Sequence, residues 1–327
     1  MARERERQEA RLTDEKVGGP AALVLTATVA RRYYIDGETK SDIAAQLGLS
    51  RFKVARLLDQ ARAAGVVRIE LDSPGAINLD LSVRLRTAYS LRHCVVIDGP
   101  EDDDELLRAA LGRAAAELLT EIVEPGDVLG LAWARSLMAI RTSLTRLARC
   151  DVVQLTGALA SHVDESPVEL VREVARRSNG SAFFYYAPMI LQDAATARAL
   201  RAQPEVARAV RKFPEVTKAV VGVGAWREGQ SKVRDALTEE EWREIYDLGV
   251  RSELSGIQLD AAGDPVTTAL TERLIGIDAT QLRDVPDVIG IVYGVSKADA
   301  VLATLRGRFV TSLVTHNAMA RELLGRA

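Results

Sequence analysis

The segment "SDIAAQLGLSRFKVARLLDQAR", residues 41–62, constrains the fold more than any other, because a glycine interrupts a helical pattern that resumes at once. Its small and apolar positions have helix-turn-helix spacing: Ala44, Gly48, Val54 and Leu57. Ala44 is small where two helices cross, and Gly48 can take the left-handed conformation that ends the first helix. Ser50 is placed to cap the second helix. The spacing therefore predicts two short helices joined by a tight corner.

The second helix of this pair has a predicted inner face and a predicted outer face. The inner face consists of Val54, Leu57, Leu58 and Ala61. A rotation of about 100° per residue then turns the polar positions outward. The residues predicted to meet DNA are Ser50, Arg51, Phe52, Lys53, Arg56 and Gln60. Arg and Lys pair with guanine edges or phosphates, Gln with adenine, and Phe with a thymine methyl group. The alternative is a helical hairpin with a solvated charged face.

The sequence on either side of the helix pair completes a module. A helix is expected over 22–34, and "GVVRIEL" after the Gly65 stop is expected to be a strand, which together predict a winged-helix-like domain. We call residues 21–72 the head, preceded by a charged N-terminal tail at 1–20. Ser73, Pro74 and Gly75 mark a linker. We call residues 73–327 the body.

Length and charge agree with two domains. The chain has 327 residues, more than a usual single domain. Residues 1–71 carry 13 Lys or Arg and 10 Asp or Glu, whereas the net charge of the whole chain is −3, so a basic head precedes an acidic body. This balance favours a small DNA contact over general nucleic-acid coating.

Several other classes of protein are not indicated. Cys94 and Cys150 have no spacing typical of a disulfide framework or a zinc site, and we expect buried thiols. No metal or cofactor is predicted. The N-terminus lacks a signal-peptide core, and no apolar run reaches membrane-spanning length. The sequence therefore predicts a cytoplasmic protein without a membrane partner.

The body alternates short apolar runs with helical patterns. The predicted strands are "HCVVID", "DVLGLAW", "DVVQLTG", "SAFFYY", "AVVGVG", "RLIGID", "DVIGIVYG" and "FVTSLVTH". Helices are expected between them, including one continuous helix over 194–212. Such alternation predicts an α/β fold with a largely parallel, Rossmann-like sheet covered on both faces.

Loops at the carboxyl ends of parallel strands are the usual ligand sites in such folds. "GDVLGLAWARS", "LTGAL" and "VVGVGAW" place Gly130, Gly157 and Gly224 in three such loops, and Ser136 at a helix start. Lys297 opposes a helix dipole, so either an anionic ligand or solvent exposure is expected to compensate it. Asp260 in "LDAAGDP" either binds sugar hydroxyls or shapes the turn before Gly263.

Taken together, the motifs resemble the SorC family of bacterial transcriptional regulators, close relatives of the DeoR type, from about residue 22 to the C-terminus. The residues that carry the resemblance are the helix-turn-helix segment, "GDVLGLAWARSL", "YYAPMILQD", "VVGVGAW", "GIQLDAAGDPV" and "GVSKADAVLATLRGRFVTSLVT". The resemblance implies a body similar to ribose-phosphate isomerase and glucosamine-phosphate deaminase. It also implies double-stranded operator DNA and a phosphorylated sugar or polyol as partners, and a homodimer or homotetramer.

The resemblance further implies an effector site in the body. Its predicted residues are Gly130, Trp133, Ala134, Ser136, Gly157, Gly224, Glu253, Asp260 and Lys297. The chain departs from the family pattern where Ala134 replaces a common Gly, Ala158 replaces a second Gly and His316 replaces an Asp. These departures leave an unphosphorylated ligand open.

Two functions follow from the sequence. The first is a transcriptional regulator of carbohydrate or polyol metabolism whose operator affinity an effector controls. The alternative is an isomerase or deaminase of sugar phosphates. Catalysis would recruit Glu253, Asp260 and Lys297, but no histidine lies near these motifs and no nucleophile elbow or phosphate-binding Walker sequence is present. We therefore expect a regulator without enzymatic activity.

Overall fold

The computed structural model describes residues 19–67, 76–99, 103–159 and 166–327. The chain divides into two compact units, Met1–Leu71 and Asp72–Ala327. Parts of the sequence predictions lie outside the described residues: most of the N-terminal tail, the wing strand beyond Val67, and the linker.

The described part of the head contains three helices: α1 (Pro20–Tyr34), α2 (Lys40–Leu47) and α3 (Arg51–Ala63). Helix α1 begins two residues before the predicted start because Pro20 occupies the first turn, where its missing N–H costs nothing. The three helices enclose one small core: Val29, Ala30, Ile43, Ala44, Val54, Leu57, Leu58 and Ala61. The predicted inner face of α3 is therefore confirmed.

The corner between α2 and α3 is made by three residues. Gly48 has φ +66° and ψ +29°, the left-handed conformation predicted for it, and Leu49 N–H donates to Ala44 O at 2.9 Å. The Ser50 hydroxyl accepts the Lys53 N–H at 3.2 Å and caps α3. At the other end of α3, Gly65 has φ +70°. The turn chemistry of the sequence thus fixes where these helices end and begin.

The described body contains ten strands. They are β1 (Cys94–Ile97), β2 (Val128–Leu131), β3 (Asp151–Gln154), β4 (Ala182–Phe183), β5 (Lys218–Gly222), β6 (Gly224–Ala225), β7 (Ser252–Leu254), β8 (Ile257–Leu259), β9 (Asp287–Ile291) and β10 (Ser312–His316). Seven of them form one sheet in the order β1-β10-β9-β5-β2-β3-β4, and every pairing in it is parallel. The predicted α/β class is confirmed.

Helices cover both faces of this sheet. They are α4 (Leu79–Ala88), α5 (Asp104–Ile122), α6 (Arg135–Ser143), α7 (Pro167–Ser178), α8 (Ala194–Arg201), α9 (Pro204–Val210), α10 (Lys232–Asp235), α11 (Glu239–Asp247), α12 (Ala279–Asp284), α13 (Ala298–Arg306) and α14 (Asn317–Leu324). Successive residues of β5 point to opposite faces, so Ala219 and Val221 belong to one core and Val220 to the other. Two cores explain why the strands are apolar throughout.

Four predicted elements differ from the structure: the helix over 194–212 and the strands "RLIGID", "SAFFYY" and "AVVGVG". The helix expected over 194–212 is broken between α8 and α9, because Pro204 lacks an N–H and holds Gln203 in an extended conformation (ψ 136°). "RLIGID" is not a strand: Ile275 and Ile277 are buried, but their N–H groups donate to the loop carbonyls of Met189 and Leu155. "SAFFYY" contributes only the two residues of β4.

A second, three-stranded sheet was not expected. Its antiparallel order is β6-β7-β8, and it pairs Gly224 with Glu253. The run "AVVGVG" therefore does not form one strand, because β5 ends at Gly222 and β6 begins at Gly224 in the other sheet. This break brings the small sheet to the carboxyl end of β5.

Candidate functional site

The outer face of α3 is the candidate nucleic-acid interface of the head. Arg51, Phe52 and Arg56 are exposed, whereas Lys53 and Gln60 are half-buried. Phe52 is 83% exposed, an unusual position for a large apolar side chain. Ser50 lies at the helix start, with its hydroxyl engaged as the cap. Five of the six predicted residues thus lie along α3 and the sixth, Ser50, caps it.

The chemistry of this face suits the major groove of DNA. Guanidinium groups bind guanine edges or phosphates, and an exposed aromatic ring can contact a thymine methyl group. Helix α3 is also firmly attached to α1, since Arg62 Nε donates to the Tyr34 hydroxyl at 2.7 Å. A rigid helix with outward cations is the geometry in which helix-turn-helix proteins present a recognition helix.

The candidate effector site of the body is a cleft at the carboxyl ends of β2, β5 and β9, three neighbouring strands of the large sheet. The strand order reverses between β2 and β5, which is where ligands bind in open α/β sheets. The cleft holds about 630 Å³ of empty space, counting its open mouth. We call it the carboxyl-edge cleft.

The loop after β2 forms one wall of the carboxyl-edge cleft. Trp133 N–H donates to the Thr156 hydroxyl at 3.0 Å, which ties this loop to the end of β3. Helix α6 starts next, and its N-cap residue Ala134 has no side-chain hydrogen bond to the helix. Gly222 allows β5 to come close, because a Cβ there would lie 2.6 Å from Ala134 Cβ. The first N–H groups of α6 thus remain available for an anion.

A buried carboxyl group forms the opposite wall. Glu253 on β7 is 8% exposed and accepts hydrogen bonds from the Ser231 hydroxyl at 3.0 Å and from Gly256 N–H at 3.3 Å. Burial raises the pKa of this carboxyl group, although the two hydrogen bonds and the nearby Lys297 oppose the shift. Glu253 is therefore held by neutral donors rather than by a direct ion pair with a described residue.

The cations of the carboxyl-edge cleft outnumber its carboxylates. Among the residues that the structure describes, Arg135, Lys232 and Lys297 line it, against Glu253 alone. Lys297 Nζ lies 4.8 Å from the centroid of the Tyr293 ring. Burial lowers the pKa of Lys297, and the neighbouring Arg135 lowers it further. An anionic ligand would relieve both unfavourable contributions.

Six of the nine predicted effector residues line this cleft: Trp133, Ala134, Ser136, Gly224, Glu253 and Lys297. The other three lie outside it. Gly130 leaves room for the Leu155 side chain, and Gly157 lets the Met189 backbone approach. Asp260 Oδ1 accepts the N–H groups of the three residues at 262–264, each at 2.9 Å. Of the two roles open to Asp260, the structure shows the turn.

The predicted effector residues omitted five polar residues that line the carboxyl-edge cleft: Arg135, Gln230, Ser231, Lys232 and Ser255. Gln230 Oε1 and Ser255 Oγ are buried atoms without a hydrogen-bond partner in the described chain. Ser255 and Gly256 connect β7 and β8 in a two-residue turn with φ +55° and +86°. Such a turn favours Asn-Gly or Gly-Gly, so a serine is strained there. The only sequence signal was the "SG" pair between two short apolar runs.

The described residues contain neither a candidate metal site nor a membrane-spanning helix. No group of His, Cys, Asp or Glu side chains suited to a metal ion occurs among them. Within the same residues, none of the helices has the length and apolar character needed to span a bilayer.

A helix-turn-helix head and a parallel α/β body with a cationic cleft define a ligand-responsive transcriptional regulator. Similar proteins of known sequence support this class of protein. The domain family described as "Putative sugar-binding domain" matches residues 75–325. The chain is 29% identical to the "Uncharacterized transcriptional regulator YjhU" of Escherichia coli K12, covering 89% of this chain and 92% of that protein. It is 30% identical to the transcriptional regulator LsrR of Klebsiella pneumoniae, covering 98% and 99%.

Solved structures show the same fold. The full-length sorbitol operon regulator SorC of Klebsiella pneumoniae aligns with a TM-score of 0.71 at 24% identity, over 92% of this chain and 99% of that one. The chain belongs to the SorC family of sugar-binding transcriptional regulators.

Proposed function

We propose that this protein binds operator DNA through the outer face of α3 and that an anionic sugar or polyol derivative in the carboxyl-edge cleft controls its operator affinity. The observation that carries the proposal is the excess of cations, Arg135, Lys232 and Lys297, at the carboxyl ends of three central strands. Carbohydrate or polyol metabolism is the process that such a regulator would control. Because it acts on DNA, it works in the cytoplasm.

The anionic end of the effector is expected at the start of α6. Free N–H groups at a helix start bind phosphate, and the helix dipole favours negative charge there. Lys297 and Arg135 add two cations beside it. A phosphate group fits this end better than a neutral group, which favours a phosphorylated sugar or polyol. The Ala134 methyl group narrows the approach but leaves the backbone donors in place.

The other end of the effector is expected to carry hydroxyl groups. Gln230 Oε1, Ser255 Oγ and the Glu253 carboxyl group are buried around the cleft, and the first two lack partners among the described residues. A buried acceptor without a partner costs about 1–3 kcal/mol. Hydroxyl donors on a polyol chain would recover this free energy. A ligand without them is expected to bind weakly.

The regulatory step needs no bond to form or break. An effector that binds one arrangement of the protein more tightly than another shifts the equilibrium between them by the difference in affinity. A coupling of about 1–3 kcal/mol changes operator affinity by roughly 5- to 150-fold. We further propose a homodimer or homotetramer, because paired heads match a symmetric operator with half-sites whole helical turns apart.

Fluorescence anisotropy tests the proposal. Labelled DNA from upstream of the gene and its neighbours is titrated with the full-length protein, with and without each member of a panel of sugar phosphates and free polyols. We expect operator binding with a dissociation constant of about 1–10 nM, and this binding should weaken steeply as salt is added. At least one phosphorylated compound should change the operator affinity. If no compound in a broad panel changes operator affinity, effector control is wrong.

Catalysis is the second candidate, and one observation favours it. Burial shifts the pKa values of Glu253 and Lys297 in opposite directions, upward for the carboxyl group and downward for the amine. Shifts of a carboxyl group and an amine in these opposite directions are the pattern by which enzymes tune an acid and a base. A sugar-phosphate isomerase or deaminase would consume the effector. Incubation with the active compound and analysis of the sugar products distinguishes an enzyme from a sensor, which returns the ligand unchanged.

A further inference from the structure

A second cleft lies at the opposite edge of the large sheet. It is bounded by the residues that precede β1, β9 and β10, including Arg92, Pro286 and Thr311. Since all strands of this sheet are parallel, these amino ends lie away from the carboxyl-edge cleft. We call it the amino-edge cleft. Its charged residues, among those that the structure describes, are Arg92, Arg283, Arg306, Arg308, Asp264 and Asp284.

The four arginines of the amino-edge cleft have no ion pair with a described carboxylate. Elsewhere in the body arginines do pair, as Arg177 does with Glu173 at 2.9 Å. Asp264 and Asp284 line the same cleft, yet neither pairs with an arginine there among the described residues. Four guanidinium groups against two carboxylates leave an excess of two positive charges. This excess lies in a body whose overall charge is negative.

Two of these arginines are held in place. The Arg283 guanidinium lies 4.5 Å from the centroid of the Phe309 ring, and Arg306 Nη1 donates to Ala261 O at 3.1 Å. Arg308 has φ +56°, a left-handed backbone that is strained for a residue other than glycine. Guanidinium groups fixed before binding lose less entropy when they meet an anion. Strain at a charged position is also common at ligand clamps.

The turn closed by Asp260 forms part of the wall. Its carboxylate organises the residues that follow, and Gly263 then packs against α13 so closely that a Cβ on Gly307 would lie 3.0 Å from Gly263 C. The same turn supplies Ala261 O, which holds Arg306, and Asp264, which lines the cleft. The motif "LDAAGDP", which the carboxyl-edge cleft does not use, therefore helps to build the amino-edge cleft.

We propose that the amino-edge cleft is a second anion site, for a small molecule with two phosphate groups or an equivalent set of carboxylates. Planar guanidinium groups bind both kinds of oxyanion in bidentate fashion. The concave shape and the negative charge of the body favour a small polyanion over the extended backbone of DNA. This site does not depend on the effector bound at the carboxyl-edge cleft.

Calorimetric titration of the full-length protein with inorganic pyrophosphate tests the site. All proteins in this comparison carry Lys297→Met, which removes a cation from the carboxyl-edge cleft. Pyrophosphate binding at the two clefts can then be distinguished. The test variant adds Arg92→Gln and Arg308→Gln, two arginines whose side chains make no hydrogen bond or ion pair with a described residue. The control adds Arg211→Gln, an exposed arginine outside both clefts. Thermal unfolding confirms that all variants fold. Citrate as a second probe distinguishes a phosphate site from a general carboxylate site.

We expect pyrophosphate to bind the Lys297→Met and Arg211→Gln proteins equally, with one site per chain and an affinity that falls with salt. The Arg92→Gln, Arg308→Gln protein should bind about tenfold or more weakly. Absence of binding, or binding that this double substitution leaves unchanged, overturns the proposal. A loss of operator affinity without a loss of pyrophosphate affinity would assign the arginines to DNA and also overturn it.

Discussion

The head and the body place their functional side chains in opposite ways. In the head, one helix turns Arg51, Phe52 and Arg56 into solvent, and eight small and apolar residues on the other side hold it. In the body, the side chains of the carboxyl-edge cleft come from loops far apart in sequence, and Glu253 is buried among them. Recognition of a large partner needs an exposed convex surface, whereas recognition of a small ligand needs an enclosed one.

The difference has an energetic side. The head exposes its cations to solvent and depends on a small core for stability. In the body, three groups of the carboxyl-edge cleft cost stability: a buried carboxyl group of raised pKa, a lysine of lowered pKa and a strained serine. Five substitutions test this contrast.

The largest effect is expected from Leu57→Ala. Leu57 is 4% exposed in the core of the head, and such a truncation costs about 2–5 kcal/mol. We expect operator binding to be lost at moderate temperature while the body still unfolds at its original temperature. Anisotropy and thermal unfolding followed by circular dichroism measure the two. A parallel fall in the body transition would show that the units are not independent.

Lys297→Met is expected to remove the effector response. A charge-assisted hydrogen bond contributes about 1.5–3 kcal/mol, so effector affinity should fall by roughly 10- to 150-fold. Operator affinity without effector should stay the same, because Lys297 belongs to the body. The check is the effector concentration that gives half of the anisotropy change. A normal response in the variant would exclude Lys297 from the site.

Arg56→Ala is expected to weaken operator binding by about 1–3 kcal/mol without unfolding either unit. Arg56→Lys is the matched variant, since it keeps the charge but loses the bidentate geometry. If Arg56 contacts a base, the lysine variant should also bind poorly; if it contacts a phosphate, lysine should restore most of the affinity. Unchanged affinity in both variants would remove Arg56 from the interface.

Glu253→Gln tests the cost of the buried carboxyl group. Burial raises the pKa of Glu253 in the folded protein above its pKa in the unfolded chain. Ionisation of Glu253 therefore destabilises the folded protein as the pH rises past the pKa of the unfolded chain. The glutamine variant should therefore gain stability relative to the native chain as pH increases from 4 to 8. Thermal unfolding across this range measures it. A difference that shrinks with rising pH would contradict the burial argument.

Ser255→Gly is expected to have the smallest effect. It should raise the stability of the protein and lower its effector affinity. Glycine relieves the left-handed backbone at φ +55°, which should stabilise the protein by about 0.5–1 kcal/mol. Effector affinity should fall, because the hydroxyl group is lost. Chemical denaturation and the anisotropy response provide the two readouts. Higher stability with unchanged effector affinity would show that Ser255 does not touch the ligand.

The same contrast explains what the sequence could predict. In the head, helical periodicity and three turn residues determine the structure, so the buried Val54 and the exposed Arg56 followed from spacing alone. In the large sheet, apolar runs predicted the strands because both faces are buried. The strand predicted for "RLIGID" was wrong because the backbone of buried apolar residues can also hydrogen-bond to loops. A single sequence does not distinguish such loop pairing from strand pairing.

The carboxyl-edge cleft was only partly predictable. Trp133, Ser136 and Lys297 follow strands directly, so the rule for strand ends located them. Gln230 and Ser255 enter the cleft through the small antiparallel sheet, whose existence depends on the break between β5 and β6. No local pattern marks that break. Asp260 forms its turn through local hydrogen bonds to the three residues at 262–264, which is one of the two roles that the sequence left open.

The account depends on coupling between effector binding in the body and DNA binding by the head, and reciprocity tests it directly. The dissociation constant of the active effector is measured by calorimetry for the free protein and for the protein saturated with operator DNA. Thermodynamic linkage predicts that DNA changes effector affinity by the same factor, about 5- to 150-fold, by which effector changes DNA affinity. Equal effector affinity with and without operator would contradict the account.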